Sequence, residues 1–347
     1  MALTLKVKKE FAQQAKEFLK EKGWLDKSRI LGSTPDRYVI LALTESAKQS
    51  AISKKFPTAK FEHKSLPLLP PRIGNLKDLL RGILKEKEID ELIKSYDVVG
   101  DICILDIPKK LEKHELAIGH AIKRAYQYIK VVARKSGNRT KTLRIMPLKI
   151  ITGEKRLNTI HKENGVFIKV DLLRAYFSPR ASGERARIAR LVKREEKVLV
   201  MFGGTAPSAL AIAKSQPDCR IWTVDLNEDA HRLAAENVRI NRFGHIITPL
   251  LGDVRDVLPK LNLRFDRIVM PFPEENWDYL GLALEFAAQN GTIHFLAFVR
   301  EKEIEKAKGR ILKIAEKSGR KAAIKNVRLF GSYAPRVNRY VFDVEVK

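Results

Sequence analysis

The chain has 347 residues, 44% of them hydrophobic, with 67 Lys and Arg against 41 Asp and Glu and a formal net charge of +26. That apolar fraction supports folded cores in more than one domain and excludes a collagen-like or wholly disordered polymer. The positive excess points to a polyanionic partner, nucleic acid first, with general surface basicity as the plain alternative. The two cysteines, Cys103 and Cys219, form neither a metal-ligand spacing nor a disulfide framework and read as buried thiols. The opening MALTLKVKKEFAQQ lacks the apolar core of a signal peptide, and no stretch is apolar for long enough to span a bilayer. A cytoplasmic chain with no membrane partner and no obligate protein partner is the expectation.

Taken in chain order, residues 1–71 read as a small α/β unit. TLKVKK is a short strand. Glu10 to Gly23 has helical spacing, with Phe11, Ala15, Phe18 and Leu19 on one stripe, and RYVILAL is another strand. LPLLPP then interrupts regular structure, because proline lacks a backbone donor and restricts its neighbour. A second region, 75–170, opens with helical LKDLLRGIL and IDELIKSY. VVGDICILDIP is a strand–turn–strand with its glycine at the bend. HELAIGHAIKRAYQYI is an amphipathic helix that leads into the basic ARKSGNRTKTLR, either a nucleic-acid contact or an exposed charged loop.

From 171 to 347, apolar strands alternate with helices: KVLVMF and APSALAIAKS, RIWTVDL and EDAHRLAAENVRI, ITPLL and VRDVLPKL. DRIVMP, NWDYLGLALEFAAQ and GTIHFLAF continue the series. This alternation predicts a mainly parallel sheet covered on both faces. IKNVRLF and RYVFDVEV have no long helix between them and should pair antiparallel at the sheet edge.

Ligands of open α/β sheets bind at the carboxyl ends of the strands. Gly203 and Gly204 in MFGGTAPSAL would allow a tight turn and close ligand approach. Asp225 in VDLNEDA is placed to accept two ribose hydroxyls, and Asp253 in LLGDVRD to receive an adenine amine. Leu226, Val254, Pro271 and Pro273 complete the candidate cofactor contacts. The glycine turn is neither GxGxxG nor a phosphate-binding NTPase loop, so a nucleoside cofactor without a pyrophosphate, S-adenosylmethionine, fits best. His114, His120, His161 and His231 show no compact ligand pattern, so no metal site is expected.

VDLLRAYFSPRASGERARI, LRIMPLKIITGEKRLNTIHKENGVFIKV, VDLNEDA, ENVRINR, GDVRD, DRIVMPFP and VRLFGSYAPRVNRYVFDVEV together resemble the archaeal and eukaryotic tRNA (guanine-37-N1)-methyltransferases. The likeness spans nearly the whole chain. It implies a class I methyltransferase fold, Rossmann-like with an antiparallel edge, preceded by two smaller α/β domains. The middle domain would help form the anticodon-branch site, and the first would test the outer corner of the tRNA. The substrate implied is tRNA with guanine at position 37.

By this resemblance Glu184 is the base that removes the guanine N1 proton. The residue-level alternative is a helix-surface salt bridge to Arg185 or Arg187. Arg144 would stabilise charge developing on O6, with Arg139 as a nearby competitor for that alignment. Arg185 would contact the cofactor region. Tyr176, Phe177 and Arg180 would lie beside the guanine, with plain core as the other reading of the two aromatics. Pro335 and Arg336 would lie close to the cleft, or simply in an edge hairpin loop.

The first-strand motif departs from the family pattern. Val200 stands where Asp is usual, Ala206 where Gly is usual, Ser208 where Phe is usual, and Pro271 where many relatives carry Asn. The nearest rival is the sister transferase that moves an aminocarboxypropyl group from the same cofactor to a wyosine precursor, in which Glu is typical at the position of Asp225. A tRNA-binding protein without transfer activity is the rival of another class.

Overall fold

The computed structural model describes residues 2–26, 32–33, 38–64, 66, 76–94, 96–137, 140, 145–271, 276–334 and 336–347. The chain divides into two compact units, Met1–Asn75 and Leu76–Lys347.

The first unit contains β1 (Ala2–Lys8), α1 (Ala12–Glu21), β2 (Gly32–Ser33), β3 (Tyr38–Ala42), α2 (Gln49–Lys55) and β4 (Lys60–Lys64). The strands form an antiparallel sheet in the order β2-β3-β1-β4. Alternation along β1 sends Leu5 and Val7 into a core closed by Ala15 and Leu19 of α1 and Ile52 of α2. The helix expected from Glu10 begins at Ala12, after a single 3-10 turn over Lys9–Phe11.

The second unit opens with α3 (Leu76–Arg81), α4 (Glu86–Lys94), β5 (Tyr96–Val99), β6 (Ile102–Leu105), α5 (Glu115–Ala125), β7 (Val131–Lys135) and β8 (Leu148–Gly153). Its first sheet runs β5-β6-β7-β8. Ala133, Arg134 and Lys135 of the basic stretch therefore belong to a strand; residues 138–139 and 141–144 lie outside the described residues. Cys103 and Cys219 are buried, which pushes their thiols up to about 12 and about 11.

A hairpin follows, β9 (Asn158–Glu163) and β10 (Val166–Asp171), and then α6 (Ser182–Leu191). The rest alternates: β11 (Lys197–Met201), α7 (Pro207–Ser215), β12 (Arg220–Asp225), α8 (Glu228–Ile240), β13 (Ile247–Leu251), α9 (Val254–Leu261), β14 (Phe265–Met270), α10 (Asn276–Phe286), β15 (Ala287–Val299), α11 (Ile304–Lys317), β16 (Ala322–Ala334) and β17 (Val337–Val346). The sheet order is β13-β12-β11-β14-β15-β17-β16. All pairs are parallel except those of β17, which is antiparallel to β15 and to β16. This is the class I methyltransferase sheet, and its direction of winding reverses between β11 and β14, where ligands of such sheets bind. β11 is central, so Val198 to Met201 are all buried, Val200 included.

Two details differ from the sequence reading. Ala287–Gln289, expected to end a helix, instead begin β15, because Ala287 pairs with Phe265 of β14. The hairpin β9–β10 and helix α11 were not anticipated as elements.

The hairpin joins the two sheets of this unit. Val166, Ile168 and Val170 share one core with Val99 and Ile102 on one side and Val198 and Val200 on the other. Gly100, at φ +56°, turns so close to β9 that a Cβ there would meet Thr159 Oγ1 at 2.3 Å. The outer edge of β10 is satisfied by two asparagines one turn apart, Asn237 of α8 and Asn241, which caps that helix. The Asn237 amide accepts from Lys169 N at 2.6 Å and donates to the carbonyls of Lys169 and Thr205 at 3.0 Å. Asn241 repeats the exchange with Phe167, at 2.9 Å and 2.6 Å. These side chains take the place of a neighbouring strand. Asn237→Ala should leave three buried backbone groups without partners. Thermal or urea unfolding should report a loss of about 1–3 kcal/mol or more; an unchanged midpoint would show that water replaces the amide.

Candidate active site

A pocket opens at the carboxyl ends of β11 and β14. Its floor is the turn after β11, where three residues in sequence have left-handed or crowded backbone. Phe202 has φ +55° and Gly204 φ +57°. A Cβ on Gly203 would lie 1.9 Å from Thr223 Oγ1. Ala206, where a glycine is usual, holds φ +65° and is fully buried. The turn therefore keeps a glycine-like backbone at a conformational cost of about 1–2 kcal/mol. Pro207 then starts α7 at the position where a missing N–H costs nothing.

Asp225, at the end of β12, braces this turn. One carboxylate oxygen accepts Gly204 N–H at 2.6 Å and the other Asn227 N–H at 2.9 Å. Burial raises its pKa, opposed by those two N–H groups. Each oxygen keeps a second lone pair, so the carboxylate suits a ribose diol as well as the turn. Leu226 is exposed beside it. Asp253 accepts Arg255 N–H at 2.8 Å and Arg255 Nε at 2.9 Å, which makes it the cap of α9; Val254 is buried.

Gly203, Gly204, Pro271, Tyr176, Phe177, Glu184 and Arg185 all line the pocket. Phe177 is buried and Tyr176 partly exposed. Arg180 is turned away to Asp97 of β5, its Nε 2.6 Å from the carboxylate. Arg336 sits exposed at φ +65° in the turn between β16 and β17. Arg139, Arg144, Pro273 and Pro335 lie outside the described residues. The pocket also contains Ser208 and residues that motif reading passed over: Phe202, Leu296 and Phe298, with Phe330 from the edge strand β16 and Arg339 from its neighbour β17. The last two stand inside the stretch VRLFGSYAPRVNRYVFDVEV.

Helix α6 brings three charged side chains indoors. Glu184 is 5% exposed, so the surface salt bridge expected as its alternative is instead a buried one. Its Oε1 accepts from Arg187 Nε at 2.8 Å. Arg185 does not pair with it. Its Nε and one Nη contact the two oxygens of Glu163 on β9, each at 2.6 Å, and the same Nη reaches the Ser178 carbonyl at 3.0 Å. This buried pair, which nothing in the local sequence of β9 advertises, anchors α6 to the hairpin. Burial would raise the Glu163 pKa, but His161 and Arg185 outweigh it and hold the carboxyl below its ordinary value.

Arg187 extends a second line. Its two Nη atoms contact both oxygens of Asp343 on β17 at 2.8 Å. Asp343 is 2.6 Å from His294 Nδ1, and His294 Nε2 is 2.8 Å from Arg267 Nη1. Arg267 in turn grips Glu196 at 2.7 and 2.9 Å. Arginine only donates, so His294 Nε2 must accept and the ring proton sits on Nδ1, donated to Asp343. Burial works against the Asp343 carboxylate, yet the hydrogen bonds from His294 and Arg187 hold its pKa well below normal.

A curated relative, the tRNA (guanine(37)-N(1))-methyltransferase Trm5b of Methanocaldococcus jannaschii, is 33% identical over 100% of this chain and 99% of its own. The chain belongs to the TRM5/TYW2 methyltransferase family. The model of the TRM5/TYW2 methyltransferase domain matches residues 159–324, and that of the TYW2 N-terminal domain residues 76–156. Among solved members, the complex of aTrm5 with tRNALeu superposes with a TM-score of 0.70 at 29% identity, covering 99% of this chain and 100% of that one. TYW2 of M. jannaschii in complex with AdoMet superposes with a TM-score of 0.57 at 26% identity, covering 73% and 99%.

Two outcomes follow from this geometry. Gly203→Ala places its Cβ against the Thr223 hydroxyl, which must rotate aside, so cofactor affinity measured by calorimetry should fall by no more than about tenfold, and a larger loss would show that the turn itself is displaced. The second concerns acid. Burial lowers the His294 pKa from 6.5, Asp343 opposes, and Arg267 and Arg187 add to the lowering. The unfolded chain takes up this proton below pH 6.5 while the folded one resists. The stability is therefore fully present above that value and declines as pH falls, by up to about 1.4 kcal/mol per pH unit. His294→Asn should show a smaller drop in Tm between about pH 7 and about pH 5 than the parent; an equal drop assigns the acid sensitivity elsewhere.

Proposed function

We propose that this protein transfers the methyl group of S-adenosylmethionine to N1 of guanine 37 in tRNA, with Glu184 as the general base. The observation that carries the base assignment is a buried glutamate on the pocket wall, held through one oxygen, opposite the glycine turn after β11. The site fits the donor: the pocket has apolar walls and a tight glycine turn, and Asp225, which accepts from Gly204 of the lining, keeps lone pairs for a ribose beside it. When bound, S-adenosylmethionine supplies an electrophilic methyl carbon on a sulfonium.

Guanine N1 carries a proton and is a poor nucleophile until that proton leaves. Glu184 takes it and becomes a neutral acid. The freed N1 electron pair forms the bond to the methyl carbon as the carbon–sulfur bond breaks, and that pair returns to sulfur. Arg144 retains the part the resemblance gives it, stabilising charge on O6. Asp225 holds the ribose, and the apolar wall of Phe202, Phe298 and Leu296 keeps water from the reacting centre. The net charge of +26 supplies phosphate attraction, which positions tRNA without specifying the base. Residues 1–71 would read the outer corner of the tRNA, in the cytoplasm.

Nucleoside mass spectrometry after incubation with S-adenosylmethionine and an unmodified tRNA transcript tests this reading. The expected product is N1-methylguanosine, a gain of about 14 Da, absent from a transcript carrying adenine 37. A gain of about 101 Da would identify aminocarboxypropyl transfer, in which a different carbon on sulfur faces the nucleophile. Glu184→Gln should slow single-turnover transfer by about 10²–10⁴-fold while sparing cofactor binding, and an unchanged rate would remove Glu184 from the mechanism.

A further inference from the structure

Arg187 has no assigned part in the reaction, yet it sits between the proposed base and a second buried carboxylate. Its five donors are divided by geometry. The Nη1 and Nη2 edge, which matches a carboxylate in bidentate fashion, is taken by Asp343. The Nε side faces Glu184, and Nε and Nη2 both approach the same oxygen, Oε1, at 2.8 and 2.7 Å. Among the described residues Oε2 has no hydrogen bond, and Arg328 Nε stands 4.0 Å from it. A guanidinium without Asp343 would be able to turn its bidentate edge to Glu184 and satisfy both oxygens at once. A carboxylate gripped in that way keeps a second lone pair on each oxygen, but both oxygens then carry a guanidinium hydrogen bond, which favours the charged form and makes each a weaker proton acceptor.

We infer that Asp343 is a positioning residue for proton removal: by occupying the bidentate edge of Arg187, it makes Arg187 hold Glu184 through Oε1 alone and leaves Oε2 to receive the N1 proton. The surroundings maintain this division. Asn326 Nδ2 donates to Asp343 Oδ2 at 3.2 Å, and the Nδ1 proton of His294 goes to Oδ1. His294 cannot rotate its other nitrogen into that place, because Nε2 is fixed by Arg267. Asp343 and His294 belong to paired strands, facing each other in the register of β15 and β17, so the support for Glu184 is built into the sheet.

The inference rests on Glu184 being the base, and the experiment separates the two. Single-turnover methyl transfer to the tRNA transcript is measured for the full chain and for Asp343→Asn, Arg187→Lys, Glu184→Gln and the Asp343→Asn/Glu184→Gln double variant. Affinities for S-adenosylhomocysteine and tRNA are measured beside the rates. Asp343→Asn and Arg187→Lys should each slow transfer about tenfold or more with both affinities within about twofold. Asp343→Asn should add less than about threefold in the Glu184→Gln background, where no base remains to be positioned. A parental rate in Asp343→Asn, equal losses in both backgrounds, or losses matched by weaker binding would each overturn the inference. Should Asp343→Asn not fold at the assay temperature, Arg187→Lys decides, since lysine has no bidentate edge to divide between the two carboxylates; a parental rate there is equally fatal. A Glu184→Gln protein as fast as its parent would sink the base assignment itself, whatever the Asp343 variants do.

Discussion

A charge removed from water must be paired, or the fold cannot afford it. Helix α6 carries three such charges inward within four residues, Glu184, Arg185 and Arg187. Each is answered by a different part of the chain: Arg185 by Glu163 of the hairpin, Arg187 by Asp343 of β17, and Glu184 by Arg187 itself. The two outer pairs hold the helix from opposite sides. Removing one partner would strand a buried charge, which is costlier than losing a surface salt bridge. The position of the candidate base is therefore fixed by ion pairing on both flanks, with apolar packing of Ile188 and Ala189 underneath.

This arrangement explains why the pocket is assembled from segments far apart in sequence. The glycine turn after β11 and Pro271 after β14 lie where the direction of winding of the sheet reverses. The segment before α6 adds Tyr176 and Phe177, and β16 adds Phe330, to the aromatic wall begun by Phe202 and Phe298. The turn keeps left-handed backbone at Phe202 and Ala206 despite their side chains.

Much of the catalytic sheet was readable because its signals are local. The segment EDAHRLAAENVRI coincides with α8, and the alternation of apolar strands with amphipathic helices gave the parallel order. Helix α11 carried a similar signal, with Ala307, Ile311 and Ala315 spaced for one buried face, and still went unread. The buried ion pairs were not readable at all. Asp343 lies in an alternating strand like any edge residue, and its partner Arg187 is 156 positions away. Asp225 and Asp253 look equivalent in sequence, each ending a strand before a helix. Only the structure separates a carboxylate that braces the turn from one that caps α9.

The placement of β17 between β15 and β16 has a consequence for the order of assembly. β16 precedes β17 in the chain but can join the sheet only through it. When translation has passed β16, the nascent sheet still ends at β15, with an open edge and with Arg187 lacking its bidentate partner. Closing that edge with β17 also supplies the Arg187–Asp343 contact, which spans 156 positions. A ribosome-bound chain can thus hold the β11 turn and the Arg185–Glu163 pair before β17 joins, so the support for Glu184 is completed by the strand that closes the sheet.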